Sequence, residues 1–272
     1  MLLAIDVGNT NIVLGVFDGA KLTQSWRLQT LRERTADEIG ILVTQLFSQS
    51  RLDKKAISGI ILSSVVPPLT GTMQEMAERY FGRSPLTVDP ATNTGMPILY
   101  VPASDVGADR VVNAVAAYEK FGRANRLPII AVDFGTATTF DVISAAGEYV
   151  GGVICPGIGI SADALFQRAA RLPRVDVRKP PSIIGQTTVT SMQAGLFFGY
   201  VSMVDGIVTR IRAELPEGER AICLATGGMA DVLSNETTTI QRVEPDLTLE
   251  GLRIIWERSS RAAQASQAIT ST

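Results

Sequence analysis

Apolar and polar residues follow two rhythms along this chain, and the points where the rhythm changes outline its architecture. Leu2 to Val7 is a short, almost wholly apolar run, the pattern of a strand covered on both faces. Asn11 to Phe17 predicts a second strand, Asp18-Gly19 is a hairpin turn signal, and Lys21 to Leu28 alternates as a third. Thr35 and Glu38 then have the spacing of a capping box, and Ile39, Leu42, Val43, Leu46 and Phe47 recur behind them at helical intervals. Ser58 to Val66 predicts another buried strand, and Met73 to Phe81 a second helix. Hairpin-linked strands followed by alternating helix and strand predict a mixed sheet flanked by helices.

The same succession then returns. "AVDFGTAT", from Ala131, repeats "AIDVGNTN", from Ala4, with Asp133 in register with Asp6. Thr138 to Ser144 predicts a strand, Ala145-Ala146-Gly147 a turn, and Glu148 to Cys155 the next strand. Later come a long apolar helix from Val189 to Leu215, a strand from Arg220 to Ala225 and a terminal helix from Leu249 to Arg258. The order predicts an internal duplication of one α/β unit, with a boundary near the helix Arg110 to Phe121. The predicted domains are residues 1–115 and 116–258, and the stretch 259–272, rich in Ser, Ala, Gln and Thr, is expected to be disordered.

Composition narrows the chemistry. Among 272 residues, 46% are hydrophobic, enough for sizeable cores. The net charge is 25 − 27 = −2, so no basic face for nucleic acid is expected. Histidine is absent, which removes Ser-His-Asp and Cys-His hydrolases and histidine-ligated metals together. Two cysteines, Cys155 and Cys223, are too few for a disulfide framework or a zinc site, and their apolar neighbours predict inert thiols. The longest membrane-span candidate, Leu196 to Val208, is interrupted by Gly199, Ser202, Asp205 and Gly206. Met1 leads directly into strand-like sequence without a basic leader, so a cytoplasmic protein with no membrane partner is expected.

Each repeat opens with a strand that breaks into acid, glycine and small polar residues. In both corners glycine lets the backbone approach an anion, and Asn9, Thr10, Asn11, Thr136, Thr138 and Thr139 offer donors. An aspartate facing phosphates requires a cation between them. Two such aspartates therefore point to metal ions, Mg²⁺ first, with bound nucleotide; a glycine turn with a capping Asp is the plainer alternative for either corner alone. No "GK[ST]" occurs, which excludes a P-loop. "GIGISA", Gly157 to Ala162, resembles a dinucleotide fingerprint, but the Pro- and Arg-rich segment Arg171 to Pro181 stands where the next strand would be, so a helix N-terminus near the nucleotide is expected instead. In "ATGGMA", Ala225 to Ala230, Gly227-Gly228 is either an adenosine platform or a tight turn. In "GADR", Asp109 and Arg110 open a helix. They are either a dipole partner with its surface mate, or the proton acceptor and anion-directed arginine of a kinase.

Taken in order, "DVGNTN", "GADR", "VDFGTATTFD", "GGVICPGIGIS" and "TGG" closely resemble the type III pantothenate kinases, bacterial enzymes of the acetate and sugar kinase, Hsp70 and actin superfamily. "ERTADEIG" and "DLTLEGLRIIWER" extend the resemblance from Leu3 to about Glu257. It implies duplicated RNase H-like (actin-like ATPase) domains with a cleft between them, and ATP-dependent phosphorylation of pantothenate, the first step of coenzyme A synthesis. By motif position it implies that Asp6, Val7, Gly8, Asn9, Thr10, Asn11, Ile12 and Val13 hold the ATP phosphates, with Asp6 on Mg²⁺. Thr136 is implied as a second ATP contact and Asp133 as the ligand of a monovalent cation, K⁺ or NH₄⁺. Tyr100, Gly107, Ala108, Asp109, Arg110 and Thr188 are implied to bind pantothenate, with Asp109 as proton acceptor, in a homodimer. The competing reading from another class is a nucleotide-binding regulatory protein of the same fold without kinase activity.

Overall fold

The computed structural model describes residues 1–89 and 92–270. Strands β1 (Leu2–Val7), β2 (Asn11–Asp18), β3 (Lys21–Gln29), β4 (Gly59–Ser64) and β5 (Leu86–Thr87) form one sheet in the order β3-β2-β1-β4-β5. A second sheet holds β6 (Ile129–Phe134), β7 (Ala137–Ile143), β8 (Tyr149–Pro156), β9 (Ile222–Thr226) and β10 (Arg242–Val243), in the order β8-β7-β6-β9-β10. In each, the opening strand pairs antiparallel with the next and parallel with the fourth. The two sheets therefore share one topology, as the repeated corner predicts.

The first sheet is covered on both faces. Leu3, Ile5 and Val7 pack with Ile39, Val43 and Phe47 of α1 (Ala36–Gln49) and with Leu69, Met73 and Met76 of α2 (Pro67–Phe81). Thr35 caps α1 with the full capping box that its spacing to Glu38 predicts. On the other face lie α3 (Ala108–Ala117) and α7 (Leu247–Thr270): Leu249 closes on Gly15, and Trp256 on Gly59. Burial from both sides accounts for the unbroken apolar run of β1. In the second sheet Ile130, Val132 and Phe134 pack against Phe197, Val204 and Val208 of α5 (Thr188–Glu214). This helix is long and apolar enough to cross a membrane by length and composition, yet these residues of it are core.

Contacts divide the chain into two units. The first comprises Met1–Met96, Val101–Ala116 and the chain from Thr248 onward; the second comprises Pro97–Tyr100 and Ala117–Leu247. The last helix therefore belongs to the first unit, not to the second half of the sequence where its order in the chain suggests, because Leu249 and Trp256 find their partners there. It also runs through Thr270; the segment 259–270 is made of Ala, Gln, Ser, Arg, Ile and Thr, with no Gly or Pro to stop it. Residues 271 and 272, within the stretch expected to be disordered, lie outside the described residues. Pro97–Tyr100 joins the second unit through Tyr149, whose N–H donates to Pro97 O (2.8 Å) and whose carbonyl accepts from Leu99 N (2.9 Å).

Candidate active site

The first corner is the turn between β1 and β2. Asp6, at the carboxyl end of β1, pairs with Val13 on one side and with Ser63 on the other. Gly8 N–H donates to Asn11 O at 2.9 Å, closing a turn whose tip, Asn9 and Thr10, is exposed. The end of β4 supports this corner directly: Val65 N–H donates to Val7 O at 3.0 Å.

The same Val65 reaches the "GADR" turn. A β-carbon on Gly107 would lie 3.8 Å from Val65 Cγ1 and only 2.7 Å from Asp109 Oδ1. Glycine at this position leaves room for the Asp109 carboxylate to fold back over the start of α3. There Asp109 Oδ1 accepts from Arg110 N–H at 2.8 Å. Loss of water around it raises the Asp109 carboxyl above the ordinary aspartate range, while the Arg110 amide and guanidinium pull the other way. Arg110 is itself buried. Behind them α3 is held to α7, with Thr248 Oγ1 donating to Asn113 Oδ1 at 2.7 Å. Val65, just past the end of β4, thus borders both the first corner and the Gly107 turn within the first unit.

In the second unit three glycine-bearing segments converge on Asp133. Asp133 pairs with Thr139 of β7 and Thr226 of β9. The turn after β6 carries Gly135 and Thr136, and Thr136 O accepts from Gly157 N–H at 3.1 Å. Gly157 is the N-cap of α4 (Ile158–Arg168), so "GIGISA" opens a helix beside the corner as expected from its sequence context. Gly227, in "TGG", has φ +93° and backs directly onto the Asp133 carboxylate. It leads into α6 (Ala230–Ser234). Beyond α6, Asp205 of α5 anchors the chain by accepting from Thr238 and Thr239, through backbone N–H and hydroxyl alike, at 2.7–3.1 Å. Sequence reading assigned Asp205 no role beyond interrupting an apolar run; no local signal links it to a loop more than thirty positions away.

Tyr100 and Thr188 belong to the second unit, and Gly107 to Arg110 to the first. Tyr100 stands near Gly151 of β8, 3.9 Å from where its β-carbon would be. Thr188 is the first residue of α5 and is exposed on the wall of a groove of about 1030 Å³. Leu165, Leu172, Met192 and Met203 give the groove its apolar lining, and Tyr200, bonded to Ser161 Oγ (2.5 Å) and Pro156 O (2.7 Å), closes one part of it.

The oxygen chemistry suits hard cations. Among the described residues no group of three or more Asp, Glu, Cys or His side chains gathers, so an ion held here takes most of its ligands from outside the chain. In the first corner Ser63, in register with Asp6, has a fully buried hydroxyl with no hydrogen-bond partner among the described residues. In the second unit Thr138 Oγ1 is likewise buried without one, but Thr138 is in register with Phe134 and so stands on the strand face away from Asp133. An oxygen donor left over in register with Asp6 fits a hard divalent cation in the first corner.

A duplicated mixed sheet with an acid-and-glycine corner at the same strand end of each copy defines a phosphate-handling protein of the actin-like ATPase and sugar kinase fold. Solved structures agree on the fold. A Baf family transcriptional activator from Campylobacter jejuni superposes with a TM-score of 0.57 at 17% identity, covering 95% of this chain and 99% of that one. An inorganic polyphosphate/ATP-glucomannokinase from Arthrobacter gives a TM-score of 0.51 at 15% identity, covering 94% and 98%. The model of the type III pantothenate kinase family matches residues 2–210, and the chain belongs to that family. A type III pantothenate kinase from Anaeromyxobacter sp. (strain K) is 56% identical over 259 residues, 95% of this chain and 100% of that one. Another, from Moorella thermoacetica, is 54% identical over 260 residues, 96% and 100% of the two chains.

Proposed function

We propose a division of labour among the residues of an ATP-dependent pantothenate kinase. The family sets the reaction: the chain transfers a phosphoryl group from ATP, accompanied by a divalent metal ion, to a hydroxyl of pantothenate, the first step of coenzyme A synthesis. On our reading Asp6 to Val13 receive the ATP phosphates, with Asp6 toward Mg²⁺ and Thr136 as a second ATP contact. Mg²⁺ in that position spreads the negative charge that builds on the phosphates during transfer. Asp133 serves a K⁺ or NH₄⁺ ion. Gly107, Ala108, Arg110, Tyr100 and Thr188 receive pantothenate, with Arg110 suited to its carboxylate.

Asp109 is the proton acceptor in this scheme. An alcohol is a poor nucleophile while it keeps its proton, and with no histidine in the chain a carboxylate is the available base. Phosphoryl transfer passes through a loose transition state, so the carboxylate acts late and largely by orienting the hydroxyl. One observation carries the reading: Val65 bonds the phosphate corner through Val7 and also borders the Gly107 turn, which ties the Asp109 segment to the phosphate corner. A regulatory protein that only binds nucleotide has no use for a base so tied.

The reading includes a cytoplasmic homodimer, with the second copy covering the groove beside Thr188. Coupled ADP release from Mg·ATP tests the assignment, with pantothenate, glycerol and acetate offered in turn. Turnover with pantothenate is expected; turnover with glycerol or acetate and none with pantothenate overturns it.

A further inference from the structure

The first corner is held by a residue outside its own motif. Thr30 follows β3 directly, and its hydroxyl donates to Gly8 O at 2.7 Å while its N–H donates to Thr10 O at 3.0 Å. Asn11 O is already taken by Gly8 N–H at 2.9 Å. The carbonyl oxygens of Gly8, Thr10 and Asn11 are thus all turned onto donors of the chain. An anion approaching the turn is spared the negative ends of those three peptide dipoles. Two residues on, Arg32 Nη2 donates to Asn9 Oδ1 at the turn's exposed tip, 3.4 Å away. A guanidinium has five donors, so one long bond to an amide leaves it ample capacity, and its planar fork matches phosphate oxygens.

We propose that Thr30 and Arg32 complete the nucleotide-phosphate site, Arg32 as a direct contact to the ATP polyphosphate and Thr30 as the positioning residue that holds the turn for it. The inference rests on the first corner being the phosphate corner. Its charge balance is a further reason: Asp6 and the polyphosphate are both anionic, and a fixed cation at the tip adds to what Mg²⁺ supplies.

The test uses the full chain with Arg32→Gln, Arg32→Lys, Thr30→Val and Thr30→Ser, read as KM for ATP and pantothenate and as inhibition by inorganic tripolyphosphate and by adenosine. Arg32→Gln is expected to raise KM for ATP and weaken tripolyphosphate roughly tenfold, with adenosine inhibition and KM for pantothenate within twofold of native. Arg32→Lys should recover only part of this, because the fork is lost. Thr30→Val should raise KM for ATP and lower kcat, and Thr30→Ser should restore both. Arg32 is exposed, so its variants report even if Thr30→Val folds poorly. Native tripolyphosphate inhibition in Arg32→Gln, or an equal loss for adenosine, overturns the proposal. Asp6→Asn separates the two levels. If it too binds Mg·ATP as the native chain does, the corner assignment falls and this inference with it. If only Asp6→Asn is impaired, this inference alone falls.

Discussion

A β-carbon on Gly227 would stand 2.5 Å from Asp133 Oδ1 and 2.7 Å from the backbone N of Phe134. The "TGG" turn is therefore the back wall of the second corner, and its glycine is fixed by a carboxylate. Gly227→Ala adds that clash to a backbone at φ +93°, a cost of about 1–3 kcal/mol. The melting temperature should fall by several degrees and activation by monovalent cations should be blunted. Native melting and a native K⁺ titration in this variant would break the link between the two residues.

Asp109→Asn keeps the side-chain shape at the start of α3 and removes the proposed base. A positioned general base contributes about 10²- to 10⁴-fold, so kcat should drop by roughly that range with ATP binding nearly intact. Steady-state kinetics with calorimetry on Mg·ATP measures both. Turnover within a few-fold of native in a folded variant assigns the proton elsewhere.

The raised pKa of Asp109 gives two pH effects of stated sign. Between the ordinary aspartate value of 3.8 and the raised one, the folded chain holds a proton that the unfolded chain has released. Its contribution to stability therefore falls as pH rises through that window, and ionised Asp109 is a liability at neutral pH. Asp109→Asn should melt higher than native near pH 7 and lose that advantage below the ordinary value. Activity runs the opposite way, with the acid limb of kcat/KM lying above the ordinary carboxylate range. Parallel melts and pH–rate profiles would show equal melting at all pH values if burial does not act on this group.

Asp133 should make the enzyme depend on K⁺ or NH₄⁺. A carboxylate and a phosphate share a corner stably only with a cation between them. The native chain should turn over slowly in buffers containing Na⁺ alone, and Asp133→Asn should lose its response to K⁺. Equal native rates in the two buffers count against the assignment.

The groove beside Thr188 predicts a dimer. Gly195 and Gly199 are exposed along it, and an added β-carbon at either would meet nothing within 4 Å inside the chain. Light scattering at micromolar concentration should give twice the chain mass, and Gly199→Trp should lower it. A fully active monomer refutes the expectation.

Much of this architecture is local and so was legible beforehand. The apolar run of β1, the Asp18-Gly19 hairpin and the capping box of Thr35 and Glu38 are decided within a few residues, and the recurrence of Asp6 as Asp133 exposed the duplication. What stayed hidden depends on long-range contacts. An amphipathic helix does not reveal which sheet will take it, so the return of α7 to the first unit had no signature. The grip of Thr30 on Gly8 and Thr10 was equally silent, since a threonine ending an alternating strand looks like any other. The site divides the same way: each acidic corner is legible singly, whereas the approach of Gly227 to Asp133 and of Val65 to Gly107 arises only when distant segments fold together.

The placement of α7 also has a meaning on the ribosome. The helix that covers one face of the first sheet is translated only after the whole stretch Ala117–Leu247 that builds most of the second unit. At roughly 5–20 residues per second, the nascent first unit waits on the order of ten seconds with Gly15 and Gly59 bare of Leu249 and Trp256. The second unit, nearly continuous in the chain, can fold while the first is still open. The first of the two units is thus the one completed later, and during synthesis its uncovered sheet face is the surface a chaperone would meet.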